Sequence, residues 1–73
     1  MKKASEYRRH ADECRALSRG VKGPDKEQLL KMATTWDNLA AERTEFIKRH
    51  PELALPDEGA EEAERAKLLS SNG

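Results

Sequence analysis

The six residues Gly20-Val21-Lys22-Gly23-Pro24-Asp25 divide residues 1–50 into two stretches of helical periodicity, and this break constrains the fold more than any other feature. Gly20 and Gly23 tolerate positive φ, and Pro24 cannot extend a preceding helix without losing a backbone hydrogen bond. Asp25 is a good N-cap, and Gln28 three positions later can complete a capping pair. A connection this short makes its two helices antiparallel neighbours.

The first helix is expected over about residues 4–19 and the second over about 26–49. On a wheel of about 100° per residue, Tyr7, Ala11, Cys14 and Ser18 share one stripe, flanked by Ala4, His10 and Leu17. The second helix presents Leu29, Met32, Ala33, Trp36, Leu39, Ala40, Phe46 and Ile47. Folding the chain at residues 22–23 sets Leu17 against Leu29 or Leu30, Cys14 against Met32 and Ala33, and Ala11 against Trp36. Tyr7 then meets Leu39 and Ala40. The expected core is therefore Tyr7, Ala11, Cys14, Leu17, Leu29, Met32, Trp36 and Leu39, with small residues facing large ones. Arg43 interrupts the second stripe; its stem can cover apolar surface while its guanidinium reaches a carboxylate such as Glu6 or Glu13. The second helix outruns the first, so Phe46 and Ile47 overhang and want cover.

His50 precedes Pro51 and is expected to close the second helix. Residues 51–59 read as a linker carrying Pro51 and Pro56. Residues 60–73 read as a short acidic helix with a frayed tail, its Ala60, Ala63, Ala66 and Leu69 spaced three apart. This third helix is weaker, because a helix so short is marginal in water without tertiary support. The fold class is all-α, and composition agrees. Ala, Glu, Lys, Leu and Arg supply 42 of the 73 residues, while Val, Ile and Thr supply only 5, too few to furnish a sheet.

The single cysteine, Cys14, excludes an internal disulfide framework. Charged residues follow Met1-Lys2-Lys3 where a signal peptide needs an apolar run, and no stretch is long enough to span a bilayer. The expectation is a cytoplasmic chain with no membrane role. The 14 basic and 14 acidic residues cancel, but residues 1–36 carry the basic excess and residues 37–73 the acidic one. That asymmetry favours self-association or a charged protein partner over nucleic acid, which selects for a basic domain overall.

His10 and Cys14, at i and i+4, share a helix face and could both hold a soft metal, but a structural zinc site needs four ligands. A metal or redox sensor through His10 and Cys14 is thus a second alternative that would need two copies. Cys14 on the core face is a poor nucleophile, and a helix pair supplies no oxyanion donors, so an enzyme is not expected. No Gly-rich phosphate loop is present and no cofactor is expected. Arg8, Arg15 and Arg19 line one shoulder of the first helix. They could meet phosphates as a nucleic-acid-binding stripe, the first alternative. The favoured reading sets them against an acidic partner such as residues 58–64 of another copy.

Tyr7-Arg8-Arg9-His10-Ala11-Asp12-Glu13-Cys14-Arg15-Ala16-Leu17, followed after the turn by Leu29-Leu30-Lys31-Met32-Ala33-Thr34-Thr35-Trp36-Asp37-Asn38-Leu39-Ala40-Ala41-Glu42-Arg43, resembles a family of very short alphaproteobacterial proteins. Those proteins carry a YRxxAxxCxxLA-like helix, a Pro/Asp-containing turn and an LLxMAxxWxxLAxxR helix. Ser18 stands where the family often has Ala, and the turn is a variant. The resemblance covers Tyr7–Arg43 and implies a helical hairpin and a bacterial source. It brings no activity and no site residue with it.

The functional expectation is a small non-enzymatic interaction or regulatory module. A lone hairpin offers few large apolar side chains and leaves one side of each stripe wet. A homodimer forming a four-helix bundle, with Phe46 and Ile47 covered and the Arg8, Arg15 and Arg19 shoulder near the acidic tail of the other copy, is the expected state.

Overall fold

A computed structural model describes residues 2–70. It comprises three α-helices, α1 (Ala4–Ser18), α2 (Pro24–Arg49) and α3 (Glu58–Ser70), with a single 3₁₀ turn at Pro51–Leu53. No strand occurs among the described residues, and α1 and α2 pack along their length as the expected hairpin. No described helix is long and apolar enough to cross a membrane.

The seam follows a seven-residue repeat rather than the broad wheel face. Ala4, Tyr7, Ala11, Cys14 and Ser18 alternate at spacings of three and four, as do Ala33, Trp36, Ala40, Arg43 and Ile47 on α2. Such spacing confines burial to the narrow stripe of a coiled-coil seam. Ala4, Ala11, Ala33, Ala40, Cys14, Ser18, Arg43 and Ile47 are all buried. Ala11, Cys14 and Ala33 form one cluster with Trp36 packed against it.

Two expected core residues are corrected. Leu17 is 63% exposed and Met32 is 42% exposed. Each precedes a seam residue (Ser18 and Ala33), so it sits on the flank of the repeat. With alanines at the contact the helices approach closely, and the flanks stay in water. Leu29, Leu39, Tyr7 and Trp36 are half-buried at the margins.

The turn also differs in detail. Gly23 is the N-cap of α2 at φ 68° and ψ −143°, Pro24 is the first helical residue, and Asp25 lies inside the first turn. Pro fits there because its missing N–H would have no intrahelical partner. Gly23 is the only described glycine with positive φ, so Gly20 closes α1 in an ordinary conformation. At the far end the His50 N–H donates to the Phe46 carbonyl at 2.9 Å, and Pro51 prevents further helix.

The chain reverses again through residues 54–57, where Asp57 adopts φ 68°. That left-handed residue starts α3 at Glu58, two positions earlier than the alanine spacing implies. The molecule is extended and flattened, 43 × 31 × 16 Å. Its radius of gyration is 14.2 Å, against about 11 Å for a compact domain of this length.

Candidate interaction site

The three helices meet at one carboxylate. Glu58, the first residue of α3, is fully buried. Its two oxygens receive Arg43 Nε at 2.9 Å and Arg43 Nη2 at 2.7 Å, a bidentate fork. The same carboxylate accepts the Ala4 N–H at 3.1 Å and the Leu55 N–H at 2.9 Å. Ala4 opens α1, and its N-cap Lys3 makes no side-chain cap. Glu58 therefore caps α1 from another helix, placing negative charge at the positive end of the α1 dipole.

The electrostatics follow from these partners. The hydrogen bonds from Arg43, against the cost of burial, and those from Leu55 and Ala4 pull the Glu58 carboxyl down to about 2. Hydrogen bonding to Glu58 raises Arg43 in turn. Arg43 Nη2 also reaches the Leu53 carbonyl at 3.4 Å, and the guanidinium lies 5.4 Å from the Phe46 ring centre. Its Nη1 is buried without an acceptor among the described residues. Arg43 thus meets a carboxylate, as its place in the stripe suggested, but that of Glu58 rather than of Glu6 or Glu13.

Further ion pairs and hydrogen bonds join α3 to the hairpin. Lys3 Nζ and Ser5 Oγ both donate to Glu61 at 2.6 Å, and Arg8 forks onto Glu62. Thr44 Oγ1 donates to Glu62 at 2.9 Å. Hydrogen bonds from Lys3 and Ser5 hold Glu61 low, and Glu61 holds Lys3 high. Burial pushes Glu62 up, but hydrogen bonds from Arg8 and Thr44 outweigh it and leave its pKa lowered. Among the described residues of α3, Glu58 alone is buried.

Two residues of the basic shoulder are engaged within the chain. Arg8 meets Glu62 of α3, Arg15 pairs with Asp37 of α2, and Arg19 is exposed beside the turn. Of this shoulder, Arg8 alone meets residues 58–64 of its own chain. Of the overhanging pair, Ile47 is buried and Phe46 is half-buried, its ring tilted against that of His50 with centres 5.2 Å apart.

His10 and Cys14 each have neighbours of their own. The His10 ring lies over Trp36, with centres 4.6 Å apart, and its Nδ1 is 3.2 Å from Glu13. Tyr7 stacks on the same Trp36 at 5.9 Å. Cys14 is a buried free thiol. No group of three or more His, Cys, Asp or Glu side chains is placed to hold a metal ion among the described residues.

Beside the ionic contacts an open groove of about 590 Å³ runs between α2 and α3. Ile47 forms part of its floor, with Ala63, Ala66 and Leu69 of α3 along the wall and Lys48 and Arg65 among its polar lining. Sequence periodicity found Ile47 and the α3 alanines separately, but nothing local said that they would border one groove.

The fold and this surface define a small all-α chain of three helices whose third member is held mainly by charge. No protein-family model, curated protein or solved structure matches it.

Proposed function

We propose that the protein is a non-enzymatic, cytoplasmic interaction module that works by pairing through its helices, first of all with a second copy of itself. One observation carries this reading. The chain exposes 5451 Å², whereas a compact monomer of its mass exposes about 4,600 Å². The surplus of about 850 Å² is close to the roughly 800 Å² that each partner contributes to a standard interface. Large apolar side chains lie on the exposed surface, with Leu17, Leu30, Met32, Leu53 and Leu69 all more than 40% exposed. The kinship with short bacterial helical-hairpin proteins belongs to the same proposal and adds no activity.

The nucleic-acid alternative draws less support, because Arg8 and Arg15 already face carboxylates. Sedimentation equilibrium over the micromolar range tests the proposal. A mass that rises with concentration toward two chains supports it, and a single-chain mass at every concentration overturns self-pairing. Strongly salt-dependent binding of mixed DNA or RNA, lost on Arg8→Ala with Arg19→Ala, would move the reading to nucleic acid.

A further inference from the structure

We infer that the polar cradle which receives α3 on the hairpin is an interaction surface between copies, and that its partner is the acidic start of α3 from a second copy, exchanged for the chain's own. This rests on the self-pairing reading above and gives that pairing a surface. The cradle consists of the Ala4 N–H and the side chains of Lys3, Ser5 and Arg8 from the α1 end, with Arg43 and Thr44 from α2. All of these groups donate. The acceptors they meet on α3 are the carboxylates of Glu58, Glu61 and Glu62, within its first five residues. This complementarity is the same whether the two sides belong to one chain or to two.

Two observations favour exchange. The first is that α3 is fastened at one end. Beyond Glu62 its Ala63, Ala66 and Leu69 are exposed, so little apolar burial is lost when it leaves. An element held by so few buried contacts is among the first to open. The second is the connection. The eight residues 50–57 must reverse the chain to seat α3 on its own hairpin. They do so with Asp57 at φ 68°, a left-handed conformation that is unfavourable for a residue bearing a Cβ. A second copy is reached without that reversal. Fully extended, the linker spans about 26 Å, more than twice the roughly 10–12 Å diameter of a helix. Exchange restores the cradle contacts and releases the turn. What is given up lies in the linker itself, where the Leu55 N–H leaves Glu58 and returns to water. Strained connections of this kind favour the exchange of an element between identical chains.

Sedimentation equilibrium of two charge-reversed full chains, alone and mixed in equal amounts, tests this. Arg8→Glu reverses the cradle, and Glu62→Arg reverses α3 at the same ion pair. Neither residue belongs to the α1–α2 seam, so the hairpin persists in both variants. Alone, each variant carries the same mismatch in its closed monomer as in its exchanged dimer. Its self-association is therefore expected to stay within about threefold of the wild type. In the mixture, an exchanged heterodimer seats the reversed α3 on the reversed cradle and the native α3 on the native cradle. Both ion pairs are then matched, which neither closed monomer achieves. The mixture is expected to associate about a hundredfold more tightly than either variant alone, roughly tenfold from each site. A wild-type dimer with no gain on mixing the variants would overturn the exchange and leave self-pairing through another surface standing. A wild-type chain that stays single at every concentration would overturn self-pairing and the exchange together, whatever the mixture does.

Discussion

Arg43 and Glu58 form a bidentate ion pair sealed from water, their side chains only 5% and 0% exposed, and through it α2 holds the first residue of α3. Arg43 occupies a seam position where a leucine would serve a plain coiled coil. Burying two charges is costly unless geometry and further hydrogen bonds compensate, and here the Ala4 and Leu55 N–H groups do so. Breaking the pair from one side should therefore be severe. Glu58→Gln leaves the Arg43 charge buried and is expected to cost roughly 3–5 kcal/mol. Arg43→Met added to Glu58→Gln removes that charge but leaves an acceptor for only one of the two N–H groups, and should recover only part of the loss. Urea denaturation followed by circular dichroism checks both. A single-variant loss below about 1 kcal/mol would contradict the uncompensated-charge account.

Acid should release α3 before it melts the hairpin. Glu58 titrates at about 2 in the folded chain and near 4.5 when freed. A folded pKa below the unfolded one contributes stability that is complete above the ordinary carboxylate range and is lost as pH falls toward the folded value. Glu61 and Glu62 are lowered too and act in the same direction. Helicity is expected to fall between about pH 4.5 and 2, with the Trp36 emission changing later, because Trp36 packs in the α1–α2 seam. Simultaneous loss of both signals would show that α3 is not an independent unit.

The hairpin was legible because its causes are local. A Gly/Pro turn and two apolar repeats suffice to place Trp36 against Ala11, Cys14 and Ala33. Leu17 and Met32 misled because a wheel rewards hydrophobicity anywhere near the stripe, whereas alanine-lined seams bury only the repeat positions. The ionic fastening of α3 was not legible. Glu58 lies 15 residues beyond Arg43 across a two-proline linker, and periodicity does not say which acid an arginine will meet. Arg43 in the middle of an apolar stripe did signal that some carboxylate must be there. The Asp57 turn that aims Glu58 inward had no comparable signal.

The two glycines of the first turn should respond oppositely to alanine. Gly23 combines φ 68° with ψ −143°, a region that side-chain-bearing residues avoid, although the space around it is open. Gly23→Ala is expected to cost about 1–3 kcal/mol through backbone strain alone. Gly20 has ordinary φ, and an added Cβ would sit 3.8 Å from the Leu17 carbonyl, a normal contact. Gly20→Ala is expected to be neutral or to stabilise by about 0.4–1 kcal/mol, by restricting the unfolded chain. Thermal melts of the two variants decide it; equal effects would contradict the assigned turn.

The seam makes a final prediction that runs against simple hydrophobicity. Ala33 is 1% exposed and faces Ala11 and Cys14, so a larger side chain there must part the helices. Ala33→Leu adds apolar surface yet is expected to destabilise by about 1–3 kcal/mol. The same change at exposed Ala41 should stay within about 0.5 kcal/mol. Trp36, half-buried at the edge of the cluster, gives the complementary measurement. Trp36→Ala should cost less than the roughly 3–5 kcal/mol of a fully buried aromatic, because part of the ring is already in water. Denaturant midpoints for the three variants rank these effects. An Ala33→Leu protein more stable than the wild type would show that the seam has room, and that the flanking exposure of Leu17 and Met32 has some other cause than close approach of the helices.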